Sequence, residues 1–234
     1  MRLLLLSLLL AASASAQAPD TLALAPGDGA LTTDWLTPGT RAFTVRLVAP
    51  VQQDVGTATQ TISLADGVVT RVTTMAIPSQ GMSQTDSLVA DAASLAPMTH
   101  SSAGGMAEIS LEFMDEGVAG MVAPRQGEAA TVLLMTDGPV FDGGWLGEIA
   151  QSVALDEGAV YTVPAFFAQS PEEQGTAVLT VGASEAVGDR TGVAVAGQMG
   201  PVTMTYLVDP DTRELLVTRF SPQPGVRIEI APAD

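Results

Sequence analysis

From Arg41 onward the chain repeats one pattern: short runs in which every second residue is apolar, separated by turn signals. Successive side chains of a strand point to opposite faces, so this period specifies half-buried strands with one wet face. Phe43, Val45 and Leu47 alternate with Thr44 and Arg46. Ala107, Ile109, Leu111 and Phe113 alternate with Glu108, Ser110 and Glu112, and Val202, Met204, Tyr206 and Val208 with Thr203 and Thr205. Val226, Ile228 and Ile230 alternate with Arg227 and Glu229. Between such runs stand Asp66-Gly67, Glu116-Gly117, Gly200-Pro201, Asp209-Pro210-Asp211 and Pro224-Gly225. Tight turns between consecutive strands predict an antiparallel meander.

One segment breaks period two. Asp142 is placed to cap a helix whose apolar positions Trp145, Leu146, Ile149 and Val153 share one stripe, with Gly158 available to end it. The predicted fold is all-β and mainly antiparallel: a curved sheet or half-open barrel of about a dozen strands, plugged by this single helix near 142–154. Residues 40–234 form one β domain. Residues 17–39, rich in Ala, Pro, Gly and Thr, read as an extended leader that tucks Trp35 or Leu36 against it.

The first sixteen residues, MRLLLLSLLLAASASA, read as an address. Arg2 precedes an apolar run, and Ala14-Ser15-Ala16 offers the small-x-small pattern of signal-peptidase cleavage after Ala16. The run is shorter than the ~20 residues a bilayer span requires. A periplasmic or secreted protein follows, with no transmembrane segment in the mature chain.

Composition then removes chemistries. The chain has no Cys, so no disulfide, thiol nucleophile or thiolate zinc site is available to it. All nine basic residues are Arg, which excludes Schiff-base lysines and the lysine of phosphate loops. The net charge of −17 argues against nucleic acid, whose phosphates need a basic surface. It also fits a salty habitat, where screening relieves repulsion between carboxylates, and there stability should rise with salt. With 47% apolar but only 4% aromatic residues, the core is made of Val, Leu, Ile, Ala and Met.

Single residues say less. His100, the only His, can act as a base beside Ser101 or Ser102, but no G-x-S-x-G elbow exists and an adjacent Ser points to the opposite strand face. It reads as a wet-face strand histidine. Asp209 and Asp211 flank Pro210 as turn residues rather than calcium ligands, because Arg213 stands where a third ligand belongs. No catalytic residue, metal site or cofactor is assigned. The ten Met read chiefly as core filler, and alternatively as an adaptable lining for an apolar ligand.

Several stretches resemble a known family. They are Phe141-Asp142 with the helix after it, residues 153–158 (VALDEG), 181–187 (VGASEAV), the hairpin 205–216 (TYLVDPDTRELL), and 86–98 (DSLVADAASLAPM). In this order they are similar to uncharacterised cell-envelope domains related to the lipoprotein-localisation carriers (LolA/LolB-like), across roughly residues 41–231. The resemblance implies an open antiparallel β-barrel wrapped around helical segments, with an apolar concave face and no catalytic residues. The chain departs from the carriers in having few aromatics and one helix.

The function expected is an exported, acidic, non-enzymatic envelope protein that binds or shields a hydrophobic small molecule or lipid. A carboxylate-based secreted hydrolase and an interaction module acting through the sheet edge are the alternatives. The residues expected to line a ligand cavity are Ile109, Leu111, Phe113, Trp145, Ile149, Met204 and Tyr206, with the Tyr206 hydroxyl available to a head group. The opposing expectation is that these seven fill one another's space and leave no cavity.

Overall fold

The structure is a computed structural model describing residues 21–49, 51–105, 107–168, 171, 174–200 and 202–233. The proposed signal peptide lies outside the described residues. Among those described, one sheet of sixteen strands accounts for the architecture. Its first part holds β1 (Thr21–Ala23), β2 (Gly39–Ala49), β3 (Val51–Ala65), β4 (Val68–Ile77) and β5 (Met82–Asp91). β6 (Pro97–Gly104), β7 (Ala107–Met114), β8 (Gly117–Pro124) and β9 (Ala130–Met135) follow. After β10 (Phe141–Asp142) come a 3-10 turn at Gly143–Trp145 and helix α1 (Leu146–Ser152). The chain closes with β11 (Val160–Phe166), β12 (Gln174–Val187), β13 (Arg190–Met199), β14 (Val202–Val208), β15 (Leu215–Gln223) and β16 (Val226–Pro232).

The expected meander exists, but in two lengths. One runs from β2 to β9 and the other from β11 to β16, and antiparallel pairing of β16 with β2 splices them. Asp66 (φ 52°) and Gly67 (φ 77°) both take positive φ, the two-residue turn whose twist matches an antiparallel hairpin. The count exceeds about a dozen partly because β1 and β10 are two short strands that pair in parallel with β11. Pro164, which has no N–H for a ladder, falls between those two pairings.

The sheet is curved and not closed. β11 is covered by β1 and β10, whereas no strand among the described residues pairs with the far side of β9. Within the curve sits α1, against β13, β14 and β15. Asp142 caps the segment as the sequence suggests, its Oδ1 accepting from the Gly144 N–H at 2.7 Å. The cap opens the 3-10 turn, and α1 ends at Ser152, six residues before Gly158, which belongs to the turn leading into β11. Gly143 and Gly144 are spacing residues: a Cβ on the first would strike the Phe167 ring, and one on the second would lie 2.6 Å from Leu88 Cδ2.

Trp145, Phe141, Leu146 and Ile149 are fully buried and meet Val69, Leu88, Val163, Leu179, Val195 and Tyr206 from strands around the curve. Residues before β2 join them. Leu24, Leu31 and Leu36 are buried, and Trp35 Nε1 donates to Ser152 Oγ at 3.1 Å. A second, smaller cluster lies on the inner face of β7–β9, where Leu111, Val118, Val122 and Val132 pack with Val140 and Phe166.

Candidate functional site

The two clusters leave space between them. On the inner face, the register aligns Leu88, His100 and Leu111 across β5, β6 and β7, and next to them Asp86, Ser102 and Ile109. β10, paired with β11, brings Asp142 to His100, with Oδ2 2.8 Å from Nδ1. Phe166 and Phe167 cover one side, and Met199 and Met204 reach in from β13 and β14. The result is a cavity of about 250 Å³ whose lining includes Arg71, Asp86, Leu88, His100, Ile109, Asp142 and Met204. A second cavity of about 370 Å³ shares Gln84, Ile109 and Ala168 with it and continues along Val122, Pro124 and Ala130. The two adjoin as a groove whose outer part is mostly apolar, with Glu128 at its rim, and whose inner part is polar.

His100 is thus not a wet-face residue. It is 8% exposed, and Ser102, two positions on and therefore on the same face, is 6% exposed. The polar end is unevenly satisfied. Asp142 spends Oδ1 on the cap, but Oδ2 and His100 Nδ1, although close, make no aligned hydrogen bond. His100 Nε2 and Ser102 Oγ are buried without a protein partner. Unpaired buried polar atoms are costly and rare, so a group of them at a cavity marks a place where something else supplies the partner.

Behind this end, the charges are paired. Glu148, 2% exposed on α1, is held by the Arg71 guanidinium and accepts from Gln60 Nε2 at 3.4 Å. Arg71 also donates to the Gly144 carbonyl at 2.7 Å and lies over the Trp145 ring, 5.0 Å from its centroid. Burial first, and then the Glu148 charge, push the Tyr206 hydroxyl well above the ordinary tyrosine range.

The seven expected lining residues divide. Ile109 and Met204 line the groove. Leu111 is buried in the β7–β9 cluster, with Phe113 packed beside it edge-on to Phe166. Trp145, Ile149 and Tyr206 lie in the helix core, and the Tyr206 hydroxyl donates to Met204 Sδ at 3.5 Å. Leu88, His100, Asp142, Phe166 and Met199 also line the groove and were missed. Their signal was parity along β6 combined with strand pairing, and only the first is readable in sequence. Of the ten Met, Met98, Met114, Met121 and Met135 are exposed, and Met1 and Met106 lie outside the described residues.

Other candidates resolve as structure. Asp209 Oδ1 accepts from the Asp211 and Thr212 N–H groups, and Oδ2 receives Arg190, so the segment is a turn. Among the described residues no three His, Asp or Glu side chains gather to hold a metal ion, and no helix is long and apolar enough to cross a membrane.

Residues 41–232 match the model of a protein family described as "Protein of unknown function (DUF3108)", and the chain belongs to that family. No curated protein matches it.

Proposed function

We propose that this is an exported, non-enzymatic envelope protein that binds a lipid-like molecule in the groove beside the plugging helix. The observation that carries the reading is the groove's polarity: an apolar channel bounded by Val122, Pro124 and Ile109 leads to buried, unpartnered atoms of His100 and Asp142. An amphipathic ligand satisfies both ends, its chain covering the apolar wall and its head pairing the polar atoms. The shape of the sheet supports kinship with the lipoprotein-localisation carriers, and the pattern at residues 1–16 supports export. Native mass spectrometry of gently purified protein tests the reading. A bound mass of lipid size, lost on delipidation, is expected; a bare mass that also gains no added amphiphile overturns it.

The edge at β9, unpaired among the described residues, favours a second reading, as an interaction module. β9 carries no charge, Leu133 and Met135 are 75% and 67% exposed, and Glu128 and Asp137 stand just beyond its two ends. A second copy pairing antiparallel here would set Glu128 against Asp137, so the fitting occupant is an extended segment with basic flanks. An Arg-flanked peptide of alternating Val and Thr should slow amide exchange along β9, and a Glu-flanked one should not. Equal protection by both, or by neither, refutes this reading.

A further inference from the structure

The inner end of the groove also constrains the head group, an inference that rests on the ligand-binding reading. Two carboxylates, Asp86 and Asp142, line that end. The one guanidinium there, that of Arg71, spends its charge on Glu148 through Nη1, and Nη2 donates to the Gly144 carbonyl, which leaves only Nε–H without a partner. Asp142, 3% exposed, keeps Oδ2 without an aligned donor, and Asp86 receives only the Gln84 amide, at 2.9 and 3.1 Å. His100 is 8% exposed and lines the same space. Its Nδ1 lies 2.8 Å from Asp142 Oδ2, and its Nε2 is buried without a partner beside the groove. The two carboxylates lining this end thus face a single guanidinium whose charge Glu148 already balances, which leaves the end net negative.

We propose that the groove selects amphiphiles whose polar end is a primary ammonium, and discriminates against carboxylate and phosphate heads. An ammonium has three donors and no acceptor, which matches Asp142 Oδ2 and Asp86. An anionic head would instead be buried beside unneutralised carboxylates, which is strongly unfavourable. The buried Asp142 carboxylate, with His100 Nδ1 as the neighbour of Oδ2, distinguishes this from the diffuse attraction of a chain with net charge −17.

Displacement of the uncharged dye Nile red from the full mature protein tests it, using dodecylamine, dodecanol and laurate below their micellar concentrations. About 0.5 M salt screens the general surface field. Dodecylamine should compete at least about tenfold more tightly than laurate, an order-of-magnitude expectation for one buried charge pair. Asp142→Asn combined with Asp86→Asn should bring the two within about threefold; Asn serves as well as Asp at an N-cap, so the fold is kept. Laurate binding as tightly as dodecylamine, or a preference unchanged in the double variant, overturns the head-group assignment while leaving a ligand groove in place. If none of the three competes and the dye itself does not bind, the groove reading falls and this inference falls with it.

Discussion

The space inside the curved sheet has two regions built from the same kind of strand, and they are finished differently. Around α1, large side chains meet without remainder: Trp145, Phe141, Ile149 and Leu179 have no exposed surface. The buried charges there are paired, Glu148 with Arg71, and Ser152 Oγ donates to the Glu148 carbonyl at 2.8 Å, while Trp145 Nε1 and Arg71 Nε have no partner. Beside β6 and β7 the inner face keeps half-buried Ile109, Phe113 and Met204, and next to them His100, Ser102 and Asp142 with unpartnered atoms. The lesson is that a plug and a pocket differ less in hydrophobicity than in whether the volume is filled and the buried charges are paired.

The contrast predicts a gradient of mutational cost. Trp145→Ala should destabilise the protein by about 3–5 kcal/mol in denaturant unfolding, as expected of a fully packed aromatic. A loss under about 1 kcal/mol would show that the plug does not fill the curve. Glu148→Ala, which strands Arg71 beneath the sheet, should cost about 3 kcal/mol, towards the lower end for breaking a buried pair. A shift comparable to a surface substitution would contradict a sealed plug.

Asp209 gives a smaller, pH-dependent effect at the hairpin joining β14 to β15. The Thr212 N–H, and after it Arg190, hold its carboxyl at about 2, below the ordinary 3.8. A depressed carboxylate stabilises the fold above its unfolded value, and that contribution disappears as pH falls from about 4 through about 2. Asp209→Asn should therefore cost about 1–2 kcal/mol at neutral pH. The gap from the parent should close over that acid window; a gap that persists below pH 2 would assign the loss to the turn itself. Smallest of all, Ile109→Ala should change stability by about 1 kcal/mol or less, since the residue is only partly buried. It should nevertheless weaken competition by dodecanol severalfold. A large stability loss with unchanged binding would place Ile109 in the sealed region instead.

How much of this was readable depended on where the signal lay. Alternation such as Ala107, Ile109, Leu111 and Phe113 is local, so the strands, the all-β class and the interrupting helix were legible, as was the Asp142 cap. β1 and β10 were not, because three and two residues in a parallel pairing carry no period. His100 was misread for a related reason. Thr99 and Ser101 flank it, so nothing local distinguishes its inner face from its outer one. That distinction comes from Leu88 and Leu111 across the ladder. The expected lining residues came from the stripes of β7, the helix and β14, whose apolar character does not separate packing from lining, and only Ile109 and Met204 reached the groove.

The methionines allow the two regions, and the outer face, to be watched together. Methyl-labelled Met199 and Met204 report on the groove, while Met114, Met121 and Met135 report on the exposed surface of β7–β9. In a methyl NMR titration with dodecylamine, Met199 and Met204 should shift in a saturable way while the three surface methyls stay in place. Saturable shifts at Met114, Met121 and Met135, with Met199 and Met204 silent, would contradict a ligand groove inside the sheet.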